Sequence, residues 1–153
     1  MAGKIALVTG ASGGIGAACA EKLARQGYTV LAHANRGMDA AQALAARLCA
    51  DGCDVHAVQA DLSDSAQAGA MCADILRVYH RVDALELCAG VTHTGLLCDM
   101  TDAQWHAVME TNVSPGMTET SLFPAACKAG GLSLSAVLNE LVSNAKERGA
   151  VFC

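Results

Sequence analysis

A chain of 153 residues, 53% hydrophobic and only 16% charged, has the apolar material for one folded domain and not the composition of a disordered tail. Its net charge of −5 leaves no basic footprint for a nucleic-acid backbone. No apolar run is long enough to span a bilayer, and Lys4 followed by an apolar run and glycines is not a secretory leader. The expectation is a cytoplasmic protein with neither a membrane nor a nucleic-acid partner.

Residues 5–8 form an unbroken apolar run, the pattern of a parallel strand covered on both faces. The run enters Thr9-Gly10-Ala11-Ser12-Gly13-Gly14-Ile15-Gly16 and then an alanine-rich segment, predicting a glycine turn and a helix over 15–26 closed by Gly27. A strand is predicted over 28–32, and a helix over 38–50 ends near Gly52. A third strand covers 54–59, Asp64 caps a helix to about residue 80, and a fourth strand covers 82–87. Thr101 or Asp102 then opens a helix through Trp105, Val108 and Met109.

Strands alternating with helices over short connections give an α/β fold: a Rossmann-type parallel sheet with helices on both faces. Right-handed crossovers set the strand order 3-2-1-4. Beyond Asn112 the rhythm changes, because Val113-Ser114-Pro115-Gly116 breaks any helix. Helix-like stretches follow at 118–129 and 133–146, split by Gly130-Gly131. The division expected is a dinucleotide-binding portion over 1–112 and a helical tail over 113–153, the second half of the sheet being incomplete.

The glycine turn carries the chemistry. Gly10 allows the tight bend, Gly14 lets backbone close on a pyrophosphate, and Gly16 permits close helix–strand packing. Together with Ser12, Gly13 and Ile15 they form an anion cradle at a helix N-terminus. Past the second strand, where a carboxylate would bind the ribose hydroxyls of NAD, the chain has His33-Ala34-Asn35-Arg36. A guanidinium pairs with a 2′-phosphate, so Asn35 and Arg36 favour NADP(H) over NAD(H), the alternative being a solvated loop arginine. Asp61-Leu62, after the third strand, offers a carboxylate to the adenine edge or serves as an ordinary turn. Ala89-Gly90, after the fourth, lets backbone approach a ribose or is a plain tight turn. The eight cysteines include no Cys-x-x-Cys pair and the five histidines no ligand spacing. No metal is assigned, and the cysteines are expected as small buried hydrophobes.

The set Thr9-Gly10-x-x-x-Gly14-x-Gly16, Asp61-Leu62, Ala89-Gly90 and Asn112 resembles the short-chain dehydrogenase/reductases. The run Ala89-Gly90-Val91-Thr92-His93-Thr94-Gly95-Leu96-Leu97, with Trp105 and Glu110-Thr111-Asn112, is similar to 3-oxoacyl-acyl-carrier-protein reductases in particular. The resemblance covers residues 1–112. It implies NADP(H) and hydride transfer to a carbonyl such as a 3-oxoacyl thioester. Asn112 would be the family's structural and proton-relay asparagine, and Pro115-Gly116 its segment beside the nicotinamide.

The departures are as informative. The family protonates the carbonyl with a tyrosine from a Tyr-x-x-x-Lys pair, assisted by a serine. Tyr28 and Tyr79 are the two tyrosines here, and neither has a lysine four residues on. Either residue 112 is joined directly to a late segment of the family pattern, or residues 114–128 are a divergent helix before a fifth strand at 149–153. Both leave the serine, tyrosine and lysine absent. Three readings stay open: an oxidoreductase by descent with impaired catalysis, a non-catalytic NADP(H)-binding module or subunit, and a poorly folding gene fragment. Family oligomers pair through helices that include the missing one, so no oligomer is assured. Glu86, mid-strand, is tolerable if the fourth strand lies at a sheet edge.

Overall fold

The computed structural model describes residues 3–112. In chain order these form β1 (Ile5–Thr9), α1 (Gly14–Arg25), β2 (Thr29–Ala34), α2 (Met38–Ala50), β3 (Val55–Gln59), α3 (Ser65–Tyr79) and β4 (Ala84–Leu87). A 3-10 turn (Leu97–Asp99) and α4 (Asp102–Asn112) follow. All strand pairs are parallel and the order is β3-β2-β1-β4, the arrangement expected of a Rossmann-type sheet. The tail at 113–153, with its expected helices, Pro115, Gly116, Cys127 and Cys153, lies outside the described residues.

The period of two along β1 sorts its side chains into two cores. Ala6 and Val8 face Ala20 and Ala24 of α1 and Leu44, Ala45 and Leu48 of α2. Ile5 and Leu7 face Ala68, Met71 and Ile75 of α3, with Leu31 between them. The alanines of α1 let that helix lie close on the sheet, while leucines and methionine fill the wider gaps elsewhere.

Helix ends follow local chemistry. Gly27 and Gly52, both at φ +85°, end α1 and α2, each giving its N–H back to the helix while the next residue bonds to the carbonyl one residue further in. Asp64 caps α3 by accepting from the Ala66 and Gln67 amides, and Thr101 rather than Asp102 opens α4. The Thr101 hydroxyl accepts from Gln104 N–H at 3.3 Å and the Gln104 amide oxygen from Thr101 N–H at 2.9 Å, a reciprocal capping box.

Three expectations are corrected. The fourth strand starts at Ala84 rather than residue 82, because the Asp83 carboxylate takes the Ile5 N–H at 2.8 Å. The cysteines are not buried: among the described ones Cys49 and Cys98 are exposed and Cys19, Cys53, Cys72 and Cys88 half-buried, all unpaired. Cys19, Cys53 and Cys72 pack against the two cores from their margins rather than within them. The third strand begins at Val55, Asp54 instead accepting from the Thr29 hydroxyl at 2.7 Å. Glu86 is exposed on β4, one of the two outer strands among those described.

Candidate nucleotide-binding site

Parallel strands end together, so the loops after β1, β2, β3 and β4 meet at one edge of the sheet. They enclose a cleft of about 530 Å³, a size suited to a small molecule. Of the residues expected at the site, Gly10, Ser12, Asn35, Arg36, Asp61, Leu62, Ala89 and Gly90 line it. Gly13, Gly14, Ile15, Gly16 and Asn112 stand behind or beside it.

The glycine turn is built to a tight tolerance. Gly10 has φ +68°, and a Cβ there would lie 2.8 Å from Ala89 Cα. A Cβ on Gly16 would meet the Gly10 carbonyl oxygen at 2.3 Å, so α1 presses directly on the turn. By contrast, a Cβ on Gly14 would meet nothing within 4 Å. The residue preceding α1 is Gly13, and no side chain caps the helix. Its first-turn N–H groups therefore face outward without a partner from the fold, which suits an anion.

The other walls are fixed by hydrogen bonds. Thr9, 1% exposed, donates its hydroxyl to the Glu86 carbonyl at 3.3 Å and accepts from Ala89 N–H at 3.1 Å. This stitches the loop after β4 to the turn after β1. Asp61 accepts from the Ser63 amide at 2.9 Å and hydroxyl at 2.6 Å, so it does serve as a turn residue while lining the cleft. Those Ser63 bonds, with Asn35 and Arg36 nearby, hold its carboxyl below the usual range. Leu62 is buried in the α3-side core. Asn112 clamps the segment after β4: its Oδ1 accepts from Val91 N–H at 2.9 Å and its Nδ2 donates to Val91 O at 2.6 Å. Gly90 is small because a Cβ there would lie 2.8 Å from Asn112 Oδ1.

Among the wall residues not singled out from sequence are Gly37 and His33. A Cβ on Gly37 would approach Ser12 Cβ to 2.6 Å, so a side chain here would displace the serine beside Arg36. His33, 2% exposed, joins the ends of three strands. A histidine within the apolar run Thr-Val-Leu-Ala-His-Ala was the available signal. Neither tyrosine lines the cleft: Tyr28 packs on the α1-side core, with Lys4 Nζ 5.8 Å from its ring centroid, and Tyr79 packs on the α3-side core. Among the described residues no group of three or more His, Cys, Asp or Glu could hold a metal ion. No described helix is long and apolar enough to cross a membrane.

A parallel sheet in this order, with a glycine turn and uncapped helix at its carboxyl edge, defines a Rossmann-type α/β protein. Comparison with known proteins narrows the class. A family model described as short chain dehydrogenase matches residues 4–132, and the chain belongs to that family. Relatives include a 3-oxoacyl-[acyl-carrier-protein] reductase of Staphylococcus aureus, 36% identical over 110 residues, covering 72% of this chain and 45% of the relative. An uncharacterized oxidoreductase of Bacillus subtilis is 38% identical over 123 residues, covering 79% and 50%. Among solved structures, a metagenomic short-chain oxidoreductase in complex with NADP matches with a TM-score of 0.75 at 33% identity, covering 87% of this chain and 60% of that one. A short chain dehydrogenase from Burkholderia cenocepacia, also in complex with NADP, gives 0.71 at 32%, covering 84% and 49%. The chain thus spans about half the length of these curated relatives.

Proposed function

We propose that this chain binds NADP(H) in the cleft at the carboxyl edge of the sheet and holds the cofactor without turning it over efficiently. The observation that carries the reading is the uncapped N-terminus of α1 above Gly14, where a side chain would fill space that the fold leaves open. Gly10, Gly13, Ile15 and Gly16 shape that cradle for the pyrophosphate. Asn35 and Arg36, beside Ser12 and Gly37, are suited to the adenosine 2′-phosphate. Asp61 and Leu62 border the adenine, and Ala89 and Gly90 the ribose. The NADP complexes of the two solved relatives support the same choice. Pro115 and Gly116 are assigned to the nicotinamide end by family resemblance.

Bound NADPH supplies a hydride for a carbonyl; the chain must supply binding, orientation and a proton. Asn112 positions the loop carrying Gly90 and Val91 rather than lining the cleft itself. The proton source is what the sequence lacks, since neither tyrosine belongs to a Tyr-x-x-x-Lys pair. General-acid catalysis contributes about 10²–10⁴-fold, so its loss leaves little turnover. Calorimetry with NADPH, paired with NADPH oxidation in the presence of a 3-oxoacyl thioester, tests both halves. Binding with turnover at background is expected. Robust turnover overturns the missing-acid argument, and absence of binding overturns the cofactor assignment.

A further inference from the structure

The described residues are covered unevenly. α1, α2 and α3 each bury three or four residues, whereas the 3-10 turn buries none and α4 only Thr111 among its described side chains. Five of the seven large apolar side chains exposed among the described residues, Leu87, Val91, Leu96, Leu97 and Trp105, lie between the end of β4 and the first turns of α4. β3, the other sheet edge, carries none of the seven. Local geometry links the exposed positions. Trp105, Met109 and Asn112 share one face of α4 at i, i+4 and i+7, and the Asn112 side chain holds the backbone of Val91. The Leu97 carbonyl accepts from Met100 N–H, immediately before the Thr101 cap of α4.

A matching apolar stripe is encoded further along the chain, outside the described residues. At 100° per residue, Leu134, Val137, Leu138, Leu141, Val142 and Ala145 fall within an arc of about 140°, with polar side chains and Ala136 around the rest. The other helix-like stretch, 118–129, is interrupted by Pro124. The stripe starts just past residue 132, where the match to the family model ends, so the family pattern assigns it no place. The chain leaves α4 at Asn112, the residue that holds Val91, so the connection over 113–132 begins beside the exposed surface. Its 20 residues span at most about 66 Å, ample to return a helix to that surface.

We propose that residues 133–146 form an amphipathic helix that docks its apolar stripe on the surface of Leu87, Val91, Leu96, Leu97 and Trp105 in the same chain. The docking removes apolar area from water on both partners. Tethering gives the helix an effective concentration on the order of 1 mM there, well above that of a second copy in a micromolar solution. The proposal does not depend on the NADP(H) reading.

Trp105 is the single tryptophan, so its fluorescence in the full chain reads the cover directly. Blue-shifted emission poorly quenched by acrylamide is expected, independent of protein concentration, from a chain that sediments as a monomer. Leu138→Asp combined with Leu141→Asp should red-shift the emission and raise quenching severalfold, while Ser143→Asp, on the polar face, should do neither. Amide exchange over residues 5–8 checks that the sheet survives in each variant. A benzophenone side chain in place of Leu97 tests the contact with the stripe unaltered, and decides the matter if the double variant unfolds. Photocrosslinks to residues 134–145 of the same chain are expected. Freely quenched Trp105 in the unaltered chain, or crosslinks only elsewhere, overturns the proposal. Shielding that grows with protein concentration and survives the double substitution, or crosslinks joining two chains, assigns the surface to a second copy and equally overturns it.

Discussion

His33 Nδ1 lies 3.3 Å from the backbone nitrogen of Gly10, inside the turn that begins the proposed nucleotide cradle. An amide N–H can only donate, so Nδ1 accepts; the proton is then on Nε2, which donates to the Ala60 carbonyl at 3.0 Å. Ala11 N–H adds a bond to the His33 carbonyl at 2.8 Å. One neutral imidazole thus fastens the ends of β1, β2 and β3. His33→Leu leaves the Gly10 amide and Ala60 carbonyl unpaired, and a loss of about 2–5 kcal/mol is expected in urea unfolding at neutral pH.

The same histidine sets a pH dependence. Burial lowers its pKa from 6.5, so below that value the unfolded chain binds the proton more readily than the folded one. Stability is then expected to fall as pH drops below about 6.5, levelling off only below the folded-state pKa. Urea midpoints between pH 7 and roughly pH 5 should slope downward for the parent chain and flatten in His33→Leu. Equal slopes in the two proteins would remove His33 as the cause.

Gly14 and Gly16 are two residues apart yet face opposite constraints. Gly16→Ala drives a Cβ into the Gly10 carbonyl, and a loss of about 2–4 kcal/mol is expected with or without ligand. Gly14→Ala meets open space and gains helix propensity, so unfolding stability should hold or rise by up to about 1 kcal/mol. NADPH affinity in that variant should nonetheless collapse, because the methyl occupies the proposed pyrophosphate position. Unfolding curves and calorimetry on the same samples separate the two effects.

Arg36→Asp replaces the proposed 2′-phosphate partner with a carboxylate suited to ribose hydroxyls. Preference should swing toward NAD(H), with NADPH weakened by about 10- to 100-fold. Titration with both cofactors reads it, and an unchanged ratio removes Arg36 from the assignment.

Asn112→Asp keeps the acceptor for Val91 N–H but turns the donor facing Val91 O into a second acceptor. Faster amide exchange at Val91 is expected, with about 1–2 kcal/mol of local destabilisation. A proton-relay role alone would leave that exchange untouched.

Much of the fold was legible because β1 and the glycine turn are local signals. An unbroken apolar strand, a positive-φ glycine and an alanine-rich helix dictate one another at short range. The parallel order then follows from handedness. Arg36, Asp61 and Ala89-Gly90 were readable as residues of one cleft because parallel strands end at one edge, wherever their side chains point. Less legible were features that need two distant segments at once. Gly37 carries no signal of its own without Ser12 beside it, and Gly90 reads as a plain turn until Asn112 is.

The sequence by itself determined the alternation of strands and helices, the glycine turn before α1, and the absence of a Tyr-x-x-x-Lys pair, since these depend on residue type and spacing. Only the tertiary structure decided what Thr9 and His33 do. Each acts across strands, on partners between 23 and 80 residues away where hydrogen bonds fix them. Hydrogen bonds operate at a few ångströms, and only the packed sheet brings such positions that close.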